Sequence, residues 1–392
     1  MSERSIKNFM IGALIVSVPL LICGGAQVNK YFKWEGALSY FLLGQVVFFA
    51  FILVFERLVG RISEEQALYY VIASIAFLGI VFYFVYPIAN SGVVGGGSDN
   101  DDAYNLAARA LLKGVYPYRE HTYLGGGIAY FPGAIFLSLP AVILGNAALQ
   151  TFVWLIPFCF FLKYFLESWK GVLFIISALI IFCPTFIQTV VVGSDLIASG
   201  CYIFLSLFMF IGAVRQNKPM AVRMGAIVFL GMALSSRTNY LFFLPLLGGL
   251  LLRERGFKVT CAYVAAIILV YCLVTLPFFF YSPKEFSPLI VQAGKLSEFD
   301  YLLPNASKII LTIIAFFTLI FTFHKKVNTK TGFLILGSIL QAIPLVFIAV
   351  LASIKDGSLN LGMAWYFFHF LFFSMSAGWL LLCQDGSKLR EK

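Results

Sequence analysis

Charge is scarce in this chain. Asp, Glu, Lys and Arg make up 12% of 392 residues, where soluble domains carry about 25%. Histidine occurs three times. All seven cysteines (Cys23, Cys159, Cys183, Cys201, Cys261, Cys272, Cys383) fall inside apolar runs, and no two form a CxxC pair. That excludes a disulfide framework, a zinc site and a dithiol redox centre. There is no GxGxxG and no Walker-type loop, so nothing cradles a nucleotide phosphate. No repeat relates the two halves of the chain. No small-residue cleavage site follows the first apolar run, from Met10 to Cys23, so that run reads as a retained helix.

What is present is oil. Hydrophobic residues make up 61% of the chain, with 43 phenylalanines, and the mean hydropathy is +0.93. The fold class is an all-α polytopic membrane protein. With spans of about 20 apolar residues, candidates lie at 8–26, 37–55, 67–88, 147–164, 171–190, 196–213, 222–236, 238–252, 259–281, 306–323, 331–351 and 362–383. The net charge of +10 is no sign of nucleic-acid binding, because the cations sit in short loops between spans. Those loops are 57–61, 214–219, 253–258 and 324–330, joined by the tail 387–392, and all read as cytoplasmic.

A further apolar run, 131–144, is short and carries Pro132 and Pro140. Placed at the interface rather than across the bilayer, it lets every basic loop fall on one side. The expectation is one transmembrane domain over 1–392 with about twelve spans and both termini inside. Residues 1–60 form an N-terminal helical hairpin, and two long outer loops lie at 89–146 and 282–305. The second of these can cap the first.

The first outer loop holds the sharpest feature. Asp99, Asp101 and Asp102 fall within four residues. A carboxylate at the bilayer centre costs on the order of 2.5–3.5 kcal/mol, so these acids belong in water or a polar cavity. They suit general-base work on a hydroxyl. Asp99 and Asp101 also suit a divalent cation such as Mg²⁺ or Mn²⁺, which takes hard oxygen ligands. The plainer reading is acid at the start of a helix, because residues 102–113 alternate Ala103, Leu106, Ala107, Ala110 and Leu111 with polar residues at helical spacing. Such a helix is expected to lie on the membrane.

Tyr116, Tyr118, Tyr123 and Tyr130 follow, with Arg119 and His121 among them and Gly125 to Gly127 beneath. Each tyrosine alone reads as an interfacial anchor. Together, beside three acids, they suit a sugar or a lipid headgroup. Arg237 stands at a break between two apolar runs and needs a partner, either a lipid phosphate or an outer-face acid. Asp195 stands at another break, as a helix cap or a site residue. His369 lies in the last span, as a packed core residue or a phosphate contact.

These residues resemble the GT-C glycosyltransferases, multi-span enzymes that use polyprenyl- or dolichyl-phosphate sugars. The resemblance is densest over SDNDDAYNLAARALLKGVYPY: an acidic motif, a helix, a Gly-x-x-Pro-Tyr turn at Gly114 to Tyr118, then an aromatic-Pro step at Tyr130 to Pro132. Looser likenesses extend it to about residue 370: Pro184 through Asp195, GMALSSRTNYLFFLPLL with Arg237 at the usual basic position, and AWYFF. In that family the acidic loop follows the first span; here it follows the third, which makes 1–60 an added hairpin. Counting back from Gly114 lands on Asn100, between Asp99 and Asp101.

The resemblance implies transfer of mannose or another hexose or pentose, with inversion, from a polyprenyl-phosphate donor to a lipid or glycan acceptor. The active site would face the periplasm or exterior of a plasma membrane, most simply a bacterial inner membrane. Asp101 would be the base, with Asp99 next in line and Asp102 beside them. Arg237, Arg119, His121, Tyr116, Tyr118, Tyr123, Asp195 and His369 would hold substrate, with membrane lipids around the protein and no nucleic acid. Two other readings stand: a lipid-linked sugar flippase or transporter, which wants midplane polar groups and internal repeats, and a glycan polymerase.

Overall fold

A computed structural model describes residues 3–91, 93 and 98–383. Gly97, the basic tail 387–392 and the side chain of Lys295 lie outside the described residues. Among the described residues the regular secondary structure is helical, with one isolated bridge between His121 and Gly127. The helices are α1 (Glu3–Val59), α2 (Glu64–Ala89), α3 (Asn100–Leu112), α4 (Pro132–Ile143), α5 (Gln150–Leu166), α6 (Trp169–Phe182), α7 (Pro184–Val191), α8 (Leu196–Arg215), α9 (Met220–Leu234), α10 (Phe243–Arg255), α11 (Phe257–Tyr281), α12 (Ser287–Ser297), α13 (Ala306–Thr322), α14 (Lys330–Asp356) and α15 (Phe368–Cys383).

Eight of the described helices are long and apolar enough to cross a membrane, and the pair α6 and α7 adds a ninth if it counts as one broken span. The protein is therefore a polytopic helical membrane protein. The first of the eight folds back on itself. Lys33 takes φ 55 and ψ −165, and the Ser17 hydroxyl donates to Gln45 Oε1 at 2.7 Å. In a straight helix those residues would be about 42 Å apart. The two arms of α1 on either side of Lys33 therefore lie side by side. Between α6 and α7 the axis turns by 89°, where Pro184 cannot continue the hydrogen-bond ladder.

The expected spans at 222–236 and 238–252 are the short helices α9 and α10, of 15 and 13 residues. Run 131–144 is α4, of 12 residues, opened by Pro132 at its first turn, where proline's missing N–H costs nothing.

Two compact units share the chain: 1–85, 156–191 and 329–392 in the first, and 86–155 with 192–328 in the second. In the first unit α1 packs closely on α15, and a Cβ at Gly378 would lie 2.3 Å from Val16. This unit also holds an apolar cavity of about 550 Å³ between α14 and the residues around Leu361. None of the acidic-loop residues lines it.

The second unit carries α3 and α4. The apolar face of α3 (Ala103, Tyr104, Ala107, Ala108) is buried in one cluster with Ile128, Phe131, Ala134 and Ile135. It is covered by protein, where the sequence suggested lipid. Its small side chains let α4 approach, and α4 in turn approaches the end of α9. A Cβ on Gly133 would stand 2.2 Å from the Met232 carbonyl oxygen, and the Gly133 N–H donates to Ser235 Oγ at 3.2 Å. Backbone on backbone cannot yield cheaply. Gly133→Ala is expected to lower stability by about 1–3 kcal/mol, read as the unfolding midpoint in detergent. An unchanged midpoint would show that this contact is loose.

Candidate functional site

The first turn of α3 brings the three acids to different partners. Asp99 stands at the N-cap position without capping; its carboxylate instead accepts from Thr122 Oγ1 at 2.7 Å. Asp102 accepts from the backbone N–H of Tyr123 at 3.0 Å. Together they pin the turn 121–127, which closes through Thr122 N–H to Gly126 O at 2.9 Å. Gly125 permits it with φ +79, a conformation costly for any other residue. Asp101 points inward and is 2% exposed. It accepts from the Tyr86 hydroxyl at 2.5 Å, and that hydroxyl accepts in turn from Asn146 Nδ2 at 2.8 Å.

Burial holds the Asp101 carboxyl above its ordinary pKa, against the opposing pull of Tyr86 and the first-turn N–H groups. Its Oδ1 is buried with no hydrogen-bond partner among the described residues. The helix dipole favours acids in this first turn, so the position is electrostatically tolerable, though dry.

One turn further along the same face, the Tyr104 hydroxyl donates to Asp195 Oδ2 at 2.8 Å. Asp195 sits at the N-cap position of α8 and makes no capping bond there. It pairs with the guanidinium of Arg237. Both readings offered by the sequence for Arg237 needed a partner, and the partner found is this acid. Asp195 is 1% exposed, and its Oδ1 also has no partner among the described residues.

The turn before α8 is fixed in place from two sides. Asn100 Nδ2 donates to Ser194 Oγ at 3.1 Å. Gly193 has φ +68, and a Cβ there would meet Ala148 at 2.6 Å and the Tyr86 ring at 3.2 Å. Tyr86, Asp101, Tyr104, Asp195 and Arg237 thus form one polar constellation strung along α3.

The Gly-Val-Tyr-Pro-Tyr turn has a defined mechanical role. Gly114 (φ +69) and Val115 return their N–H groups to Leu111 and Ala110, at 3.0 and 2.9 Å, which is a Schellman stop. The chain then delivers Tyr116 and Tyr118 inward. The Tyr116 hydroxyl donates to Phe278 O at 2.9 Å and Ser282 O at 3.3 Å, serving carbonyls at the end of α11 that lack helical partners. Burial pushes the Tyr116 hydroxyl up to about 12. Tyr118 donates to Tyr130 O at 3.0 Å, and Tyr130 stacks on Tyr104 at 3.9 Å between ring centres.

The segment after α11 contacts the chain between α3 and α4. Ser287 Oγ donates to Ile128 O at 2.5 Å, and Arg119 Nε to Glu285 at 2.9 Å. The Arg119 hydrogen bond lowers the Glu285 pKa, but this pair is exposed and adds little stability. Tyr116→Phe removes the donor that serves two carbonyls. It is expected to speed amide exchange over 278–290 by about 5- to 30-fold, the equivalent of a hydrogen bond's ~1–2 kcal/mol. Arg119→Gln is expected to leave that exchange nearly unchanged.

The remaining expected site residues are dispersed. His121 is exposed, its Nδ1 3.1 Å from Arg119 O, and the Tyr123 ring is exposed. His369 belongs to the first unit, buried beside Tyr366 with 5.6 Å between ring centres. Among the described residues no three His, Cys, Asp or Glu side chains group as a metal site; Asp99 and Asp101 turn to separate partners. Sequence reading missed Tyr86, Tyr104, Asn146 and Thr122. Only Tyr104 carried a signal, its i+3 spacing from Asp101. No family model, curated protein or solved structure matches this chain.

Proposed function

We propose that the protein is a GT-C-like glycosyltransferase with about twelve membrane passes, the short helices α9 and α10 pairing across the Ser235–Arg237 break as two of them. It moves a sugar from a polyprenyl-phosphate donor to a lipid or glycan hydroxyl on the outer face of the membrane, with inversion at the anomeric carbon. Asp101 takes the proton of the acceptor hydroxyl as that oxygen attacks the anomeric carbon and the polyprenyl phosphate departs. Arg237 stabilises the charge developing on the phosphate. The observation that carries the reading is the buried Asp101 carboxylate, held by Tyr86 and keeping one oxygen uncommitted, on the same helix face that leads to the Asp195–Arg237 pair.

A raised pKa strengthens this carboxylate as a base near neutral pH. Because Asp101 is buried, acceptor entry requires the groups around it to move. The reading is tested by supplying purified protein with a panel of polyprenyl-phosphate sugars and, separately, nucleotide sugars. Transfer with inversion from one of the lipid donors, and none from the nucleotide sugars, is the expected result. Turnover from nucleotide sugars alone, or net lipid-linked sugar transport across vesicles without transfer, would overturn it.

A further inference from the structure

A second charged feature of the same unit takes no part in that chemistry. The C-termini of α8, α10 and α13 come together, and the arginines there bind them to one another. Arg215 holds Glu254 at 2.5 Å and reaches Asn328 O at 3.3 Å. Arg253 donates to His324 O at 3.0 Å and also to Phe323 O. Arg255 donates to Val214 O and Arg215 O, at 2.5 and 3.1 Å. The Arg253 and Arg255 guanidiniums thus sit on carbonyls at the ends of α13 and α8, where the dipole favours a cation.

Those three arginines are committed to the fold. The lysines around them are not. Lys218, Lys258 and Lys325 are exposed, and their side-chain ammonium groups make no hydrogen bond or ion pair among the described residues. Glu254 is the only acid on these ends, and Arg215 already neutralises it. The N-termini of α9 and α11 open at the same place, adding unpaired N–H groups that favour anions.

Large apolar side chains stand among the cations: Met220 is 63% exposed, Phe257 72% and Phe323 61%. They mark where α11 and α13, both apolar and mostly uncovered by protein, come to an end. A rim of aromatic and cationic residues at the end of lipid-facing helices lies at headgroup depth. The chemistry that fits is a phosphate anion above with hydrocarbon alongside.

We propose that the joined ends of α8, α10 and α13, with Lys218, Lys258 and Lys325, form a binding site for the headgroup of an anionic phospholipid. The arginines set its shape, the lysines hold the phosphate, and Phe257 and Phe323 pack beside the acyl chains. Clustered cations beside a membrane helix attract anionic lipid in proportion to their number.

The test is native mass spectrometry of the intact detergent-solubilised protein, titrated with phosphatidylglycerol and with phosphatidylcholine. Retained phosphatidylglycerol adducts, at least about tenfold tighter than phosphatidylcholine and weakened by salt, are expected. The triple variant Lys218→Gln, Lys258→Gln, Lys325→Gln is expected to weaken phosphatidylglycerol binding about 100-fold. The matching triple Lys→Arg variant keeps the charge and is expected to retain the binding. Equal affinity for the two lipids, or undiminished selectivity in the Gln variant, would overturn the proposal. So would displacement of the lipid by millimolar inorganic phosphate, since that marks a site for free anion. If the Gln variant does not fold, the tenfold preference of the wild-type protein and its retention by the Arg variant decide the matter.

Discussion

Arg237→Met is expected to lower the stability of the protein by about 3–5 kcal/mol. The reason lies in what stays behind. Asp195 is 1% exposed and accepts from Arg237 and Tyr104. Removing the cation leaves a buried carboxylate with one hydroxyl donor, and breaking a buried pair from one side carries a penalty of this size. Asp195→Asn errs the other way, leaving the guanidinium buried without its anion while keeping the Tyr104 hydrogen bond. The double variant Asp195→Leu, Arg237→Met removes both charges and is expected to recover most of the loss, since a buried ion pair and an apolar replacement are often close in free energy.

A double-mutant cycle on detergent-solubilised protein measures the coupling. The double variant also separates two roles of Arg237. If the arginine serves only the fold, the restored protein keeps its affinity for a polyprenyl-phosphate donor. If it meets the donor phosphate, the restored protein folds and that affinity falls. A single Arg237→Met variant with an unchanged unfolding midpoint would show that the pair is more hydrated than its burial implies.

Much of the layout was legible in the sequence because it depends on local chemistry. The helix read at 102–113 is α3, Asn100–Leu112, and its stop at Gly114 follows from the αL residue that the turn demands. The short, proline-bearing run 131–144 is the 12-residue helix α4. What did not show was pairing across distance. Asp195 and Arg237 are 42 residues apart, and nothing local to either names the other. Tyr86 looked like any aromatic near the end of a span, and only the fold puts its hydroxyl on Asp101. The face of α3 packs on protein rather than lipid, which the sequence does not reveal because an apolar stripe facing lipid and one facing protein have the same composition. The small residues Ala103, Ala107 and Ala108 were the available hint, since small side chains permit close helix approach. Pro184 marked a break between α6 and α7, but a proline does not specify 89°.

Asp101→Asn is expected to do two opposite things. Sugar transfer should fall by about 10²–10⁴-fold, the usual contribution of a general base, because an amide cannot take the acceptor proton. Stability at pH 8 should rise. Burial raises the carboxyl pKa in the folded protein, so between the ordinary aspartate value of ~3.9 and the higher folded value the folded chain binds more protons than the unfolded one. Stability therefore falls as pH rises through that window and stays reduced above it. Asparagine cannot ionise, and its Oδ1 can accept from Tyr86 as the carboxylate does, so the variant escapes the penalty. The gain should shrink as the pH is lowered and vanish below ~3.9, where Asp101 is protonated in both states. Unfolding midpoints of the two proteins across pH 4–8, beside donor turnover at pH 7, read both effects. Asp99→Asn and Asp102→Asn should behave differently: each loosens the turn 121–127 and neither removes the base. A protein that becomes more stable as it loses its activity is keeping a strained group for chemistry. An Asp101→Asn protein that is less stable at pH 8 and still active would make Asp101 a structural anchor for Tyr86 instead.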